Sequence, residues 1–142
     1  MSFEADTISI RNEIERARLA WSAYSLVVEY SNKSNLDLAK QLQPYVMADV
    51  VWYDGTQLDL GSRPMVQDMG QIILACGVKE GTGSIMAERL RDHFRPYLQL
   101  RDNLGNVRTH AAQAQKPVTV KGFEYYPLVI GFWSVSLSLP VP

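Results

Sequence analysis

One cysteine stands among 142 residues, Cys76, so no disulfide can form within the chain. Histidine is nearly as scarce. His93 and His110 stand far apart in sequence, whereas a zinc site wants clustered His and Cys at short spacing. Neither sign of charge dominates: 14 basic against 15 acidic side chains give a net charge of -1. Such a chain lacks the concentrated positive charge that holds nucleic acid, and it carries no polybasic membrane signal. Long apolar runs are missing too. Leu26-Val-Val28 and Ile72-Ile-Leu-Ala-Cys76 are far too short to span a bilayer. Met1 to Asp6 has neither the basic nor the apolar region of a secretion signal, so a cytoplasmic protein is expected.

The remaining composition is that of an ordinary globular domain, 46% hydrophobic and 20% charged. A chain of this length buries a proper core without staples, and residues 1–142 read as one domain.

Asp6 or Thr7 is placed to cap a first helix. Ile10, Ile14, Ala17, Trp21 and Tyr24 follow as one apolar stripe, with Arg11, Glu15 and Arg18 as outer-face ion pairs. Leu26 to Tyr30 reads as a short strand, and Leu36 to Gln43 as loop with at most a short helix. Tyr45 to Tyr53 and Gly70 to Val78 read as the two strands of a long hairpin. The first puts Val46, Ala48, Val50 and Trp52 on one face. Tyr45, Met47, Asp49, Val51 and Tyr53 take the other, so both faces are largely apolar and both need cover. Gly55 to Gln67 between them reads as a polar, extended or mobile hairpin arm.

Gly81-Thr-Gly83 is a tight turn, and a second helix starts near Ser84. Its stripe is Met86, Leu90, Phe94 and Tyr97, and Pro96 shortens or kinks its end. Leu98 to Arg101 begins a third strand, Asp102 to Asn106 is a turn, Val107 to Thr109 pairs back, and Ala111 to Lys116 is loop. In the last strand Trp133, Val135, Leu137 and Leu139 alternate with Ser134, Ser136 and Ser138. That pattern predicts one buried face and one face open to solvent or to a partner. The sum is an α+β fold: two helices on a mixed, mainly antiparallel sheet of four to five strands, with a long hairpin arm.

Chemistry-bearing constellations are few. The glycine turn before the second helix lacks the lysine of a phosphate-binding loop, so a structural turn is expected. Glu88 and Asp92 share a helix face, but Arg89, Arg91 and Arg95 surround them, so ion pairing accounts for the set. His93 reads as a partly exposed surface residue, and Cys76 as a buried structural thiol. No serine sits in a nucleophile elbow. Asp49 interrupts an apolar strand, which an edge, a subunit contact or a satisfied core hydrogen bond would each explain. Catalytic, cofactor and metal residues are therefore expected to be none.

Three segments carry a resemblance. Val78-Lys-Glu-Gly-Thr-Gly-Ser-Ile-Met-Ala-Glu-Arg-Leu-Arg-Asp-His-Phe94 resembles the strand, glycine turn and helix of bacteriophage tail terminator proteins. Tyr45 to Gly61, through Gly55-Thr-Gln-Leu-Asp-Leu-Gly61, is similar to their hairpin. Phe123 to Pro142 is similar to their terminal strand. The order of elements carries the likeness across most of the chain. It implies a non-enzymatic structural protein of a long-tailed phage or prophage. Such a protein forms a ring of six copies on the finished tail tube, ends tube growth and presents a joining surface to the head connector. The implied partners are further copies of the chain, the tube protein and a head-completion protein, with no nucleic-acid readout and no membrane. The implied location is the bacterial host cytoplasm, then the virion tail. Trp52, Tyr53, Asp59, Arg63 and Trp133 are the candidate contact residues. The alternatives are another neck or minor tail protein, or a small enzyme or ligand-binding domain.

Overall fold

A computed structural model of the chain describes residues 3–30, 43–53, 56–57 and 65–137. Helix α1 spans Phe3–Ala20, β1 Val28–Tyr30, β2 Tyr45–Trp52, β3 Thr56–Gln57 and β4 Met65–Lys79. Helix α2 spans Ile85–Leu98, and β5 Val107–Ala114, β6 Val118–Val120 and β7 Phe123–Leu137 follow. The expected α+β architecture is present, with more strands than expected. Seven strands form one sheet whose main path is β1-β2-β4-β7-β5, with β3 on β4 and β6 on β7. Only β1 with β2 is parallel, and every other described pairing is antiparallel. Among the described residues no helix is long and apolar enough to cross a membrane.

Both helices lie on one face of the sheet. Alternation along β2, β4 and β7 sends Val46, Ala48, Ile72, Leu74, Cys76, Leu128, Ile130 and Phe132 to that face, where all are buried. Ile10, Ile14 and Ala17 of α1 and Ala87, Leu90, Phe94 and Leu98 of α2 close the core from above. Cross-strand pairs Ile72↔Ile130 and Leu74↔Leu128 fix the register at its centre.

Several local expectations change. Asp6 is not a cap. The helix starts at Phe3, and Asp6 lies within it, 3% exposed, accepting from the Ser134 hydroxyl at 3.0 Å. The first stripe reaches the core, but Trp21 and Tyr24 pack there from beyond the helix end. Arg18 pairs with Glu15 at 2.7 Å, while Arg11 lies over the Tyr30 ring. The buried stripe of α2 holds Leu90 and Phe94 as expected, but its ends are Ala87 and Leu98 in place of Met86 and Tyr97. Gly81 and Gly83 have φ of 88° and 89°, which supplies the turn that starts this helix. Leu98 ends α2 instead of opening a strand, and Ala111 to Ala114, expected as loop, extend β5 along β7. Of the expected arm, Thr56–Gln57 and Met65–Gln67 are described: the latter open β4, which starts five residues before the expected Gly70, and Thr56 and Gln57 pair with Gln67 and Val66. Asp59, Arg63 and most of 33–43 lie outside the described residues.

Candidate interaction face

In the last strand the serine side is the buried one. Ser134 is 1% exposed on the helix side, while Trp133 and Val135 point to the other side and are half-buried. The inward serine is satisfied by Asp6, which also accepts from the Asn106 backbone. Burial raises the Asp6 pKa above the usual carboxylate value, and those hydrogen bonds only partly offset it. The hydroxyl and carboxylate together tie the first turns of α1 to the end of β7.

No described helix covers the far side of the sheet, and the strand registers arrange it in rows. One row holds Asp49, Ile73, Val129 and Gln113 on β2, β4, β7 and β5. The next holds Val51, Gln71 and Gly131, with His110 beside Gly131, where a Cβ would meet its ring at 3.2 Å. A third holds Tyr53, Met69, Trp133 and Arg108, joined at its start by the Tyr53 amide donating to the Met69 carbonyl at 2.7 Å. Tyr53 is 47% and Met69 41% exposed. The Arg108 guanidinium lies 5.3 Å from the Trp133 ring centre. Acid and base are segregated across this face. Asp49, with Glu29 opposite Met47, marks the β2 margin, and Arg108 and His110 mark the β5 margin. Asp49 is half-buried, at the rim of an apolar hollow of about 360 Å³ that Met47, Ile73, Ala75 and Val120 also line. Large apolar area of this kind, rimmed by polar groups, marks an interaction surface more often than a solvated one.

The candidate residues divide. Tyr53 and Trp133 share this face in its third row, two rows from Asp49. Trp52 does not. It points to the helix side, where its Nε1–H donates to the Thr7 hydroxyl at 3.0 Å and its ring meets Phe132 edge-on at 4.8 Å. It clamps α1 to the sheet. Met69, Ile73 and Arg108 were missed because they are remote in sequence and only the register brings them together.

The remaining polar groups have structural work. His93 is lodged between the helices: Nε2–H donates to the Ala17 carbonyl at 2.7 Å, a carbonyl in the last turn of α1. Arg101 joins Glu13 at 2.9 Å and the Tyr97 carbonyl at 2.8 Å. Arg91 donates to the carbonyls of Gln115 and Pro127 and lies over Tyr126, so it is committed to the β5–β7 region and not to Glu88. Burial pushes the Cys76 thiol up to about 12, which removes its nucleophilic form at neutral pH. Among the described residues no group of three or more His, Cys, Asp and Glu is placed to hold a metal ion.

No protein-family model matches this chain. No curated protein matches it either. One solved structure whose label names no activity shares the fold, with a TM-score of 0.66 and 16% sequence identity. The alignment covers 100% of this chain and 99% of the other, so the whole arrangement of elements is common to both.

Proposed function

We propose that this chain is a phage assembly protein of the tail terminator kind. It caps the finished tail tube as a ring, stops tube growth and offers the head its joining surface. The observation that carries the reading is the uncovered apolar face holding Tyr53, Met69, Ile73 and Trp133. A subunit that lives in a closed assembly needs such a surface. A free monomer is served by a polar one. The chemistry points the same way. His93 is spent on a hydrogen bond between the helices and Cys76 on core packing, and the tube end, not a small molecule, is the natural occupant of a flat face. Asp59 and Arg63 of the arm add a second contact in this reading, made with the tube or a neighbouring copy. The protein acts without catalysis, in the host cytoplasm during assembly and on the virion tail afterwards.

The test is electron microscopy of particles from the phage or prophage with this gene deleted. Overlong tails and separate, filled heads are the expected result. Tails of normal length joined to heads overturn the reading.

A further inference from the structure

We infer that the free protein pairs with a second copy of itself through the uncovered sheet face. The pair is a two-fold dimer in which Asp49 of each copy meets Arg108 of the other. This inference stands apart from the terminator reading: it concerns the chain before it meets any other protein.

Charge placement identifies the occupant. Asp49 and Arg108 stand at opposite corners of the apolar face, in the first and third of its rows. Three strand spacings separate them sideways, about 14 Å, and four residues separate them lengthwise, about 13 Å. The diagonal between them is therefore inclined at roughly 45° to the strands. A face-to-face dimer needs its two-fold axis in the plane of contact. Only an axis perpendicular to that diagonal exchanges the two corners and sets each acid on a base. The strands of the two copies then cross at about 90°, which is one of the two favoured geometries for packed sheets.

The same axis fixes what lies along it. It runs from the Tyr53 corner to the Gln113 corner and passes between Gln71 and Gly131 at the centre of the face. Tyr53 meets its own copy, an aromatic pair that needs no charge partner. Trp133 falls against Val51 and Asp49 of the second copy. The centre holds a glycine and a glutamine, so no bulky pair blocks approach. His110, beside Gly131, is the further titratable group near the centre among the described residues. Four strands of about eight residues present roughly 500 Å² per copy, near 1,000 Å² in total, which is below the size of a permanent interface. The dimer is a weak, reversible one, with dissociation in the micromolar range or above. Such an association hides the apolar face in the free protein and yields it to a better partner.

Sedimentation equilibrium at about pH 8, from roughly 10 μM to 1 mM, tests the geometry. The wild type is expected to show a monomer–dimer equilibrium across that range. Asp49→Arg and Arg108→Asp each place like charges at both contacts and should each weaken the dimer at least about tenfold. An equimolar mixture of the two variants restores both pairs within one heterodimer. It should recover wild-type affinity within about threefold. Tyr53→Arg sets two cations on the axis and should abolish the homodimer, whereas mixing with wild type leaves one cation facing an aromatic ring and should recover a heterodimer. A wild type that stays monomeric at the highest concentration overturns the inference. So do folded charge variants whose mixture fails to recover. Should Arg108→Asp unfold because Trp133 loses its guanidinium, Tyr53→Arg decides alone, and a dimer that persists overturns the assignment.

Discussion

Leu98→Ala discriminates most sharply between a helix end and a strand start at this point of the chain. Leu98 is fully buried at the last position of α2, in line with Leu90 and Phe94 four residues apart each time. Truncation removes three carbons from a closed core. The transfer loss and the residual cavity together place the cost at about 2–5 kcal/mol. Collapse is hindered on two sides, because Arg101 locks the following turn to Glu13 and Tyr97, and α2 is pinned to α1 through His93. The expected value is therefore in the upper part of that range, about 3–5 kcal/mol. Urea unfolding followed by tryptophan fluorescence reads it as a lower midpoint at unchanged slope. Leu100, two residues on, supplies the contrast: it is 70% exposed and holds a φ of 52°. Leu100→Gly removes left-handed strain and little burial, and should change stability by no more than about 1 kcal/mol in either direction. A loss below about 1 kcal/mol for Leu98→Ala, or equal losses for the two variants, refutes the placement of this helix end.

Gly70→Ala should cost about 3 kcal/mol or more in the same assay, since its Cβ would fall 2.2 Å from the Val51 carbonyl oxygen, a backbone atom that cannot step aside. Asp6→Asn should gain on the wild type as pH rises. A carboxyl whose folded pKa is raised is protonated in both states at low pH, and the wild type loses stability from about pH 4 up through the raised folded value. Denaturation of both proteins across that window checks the sign, and parallel curves refute it. Cys76, buried and with its thiol pushed up to about 12, should label with a thiol reagent only as fast as the core opens. Labelling within seconds in native buffer contradicts its position.

The long hairpin, the glycine turn, both helices and the inward faces of β2 and β4 were legible because each is written in a local period. Gly81-Thr-Gly83 and the stripe through Leu90 and Phe94 needed no distant partner. What failed was decided at a distance. Ala111 to Ala114 have little strand preference of their own. They form β5 because β7 offers a ladder, and sheet preference follows context more than residue type. Asp6 looked like a cap because short acids usually are. Its partner, Ser134, lies 128 positions away. The interaction face shows the same division. Tyr53 and Trp133 stood out as aromatics, but Trp52 could be sorted from them only once Thr7 and Phe132 were seen to hold it on the helix side.

The phase of β7 bears most directly on the candidate interaction face. A shift of one residue would bury Trp133 and Val135 and expose the serines, the arrangement their alternation favours. Leu128, Ile130 and Phe132 forbid it: each is buried and paired across to β4, and Phe132 fills the space over Gly70, where no side chain competes. With that register held upstream, the end of the strand must turn its serine inward and its tryptophan outward. The inward serine demands a partner and takes a buried carboxylate, itself an unfavourable burial. A chain selected only to fold alone avoids both costs by placing a small apolar residue at 134 and a polar one at 133. Here the strand keeps an indole on the outer face beside Met69 and beneath Arg108. An indole kept outside while a serine is taken inside is the arrangement on which the proposed covering of this face by another protein rests.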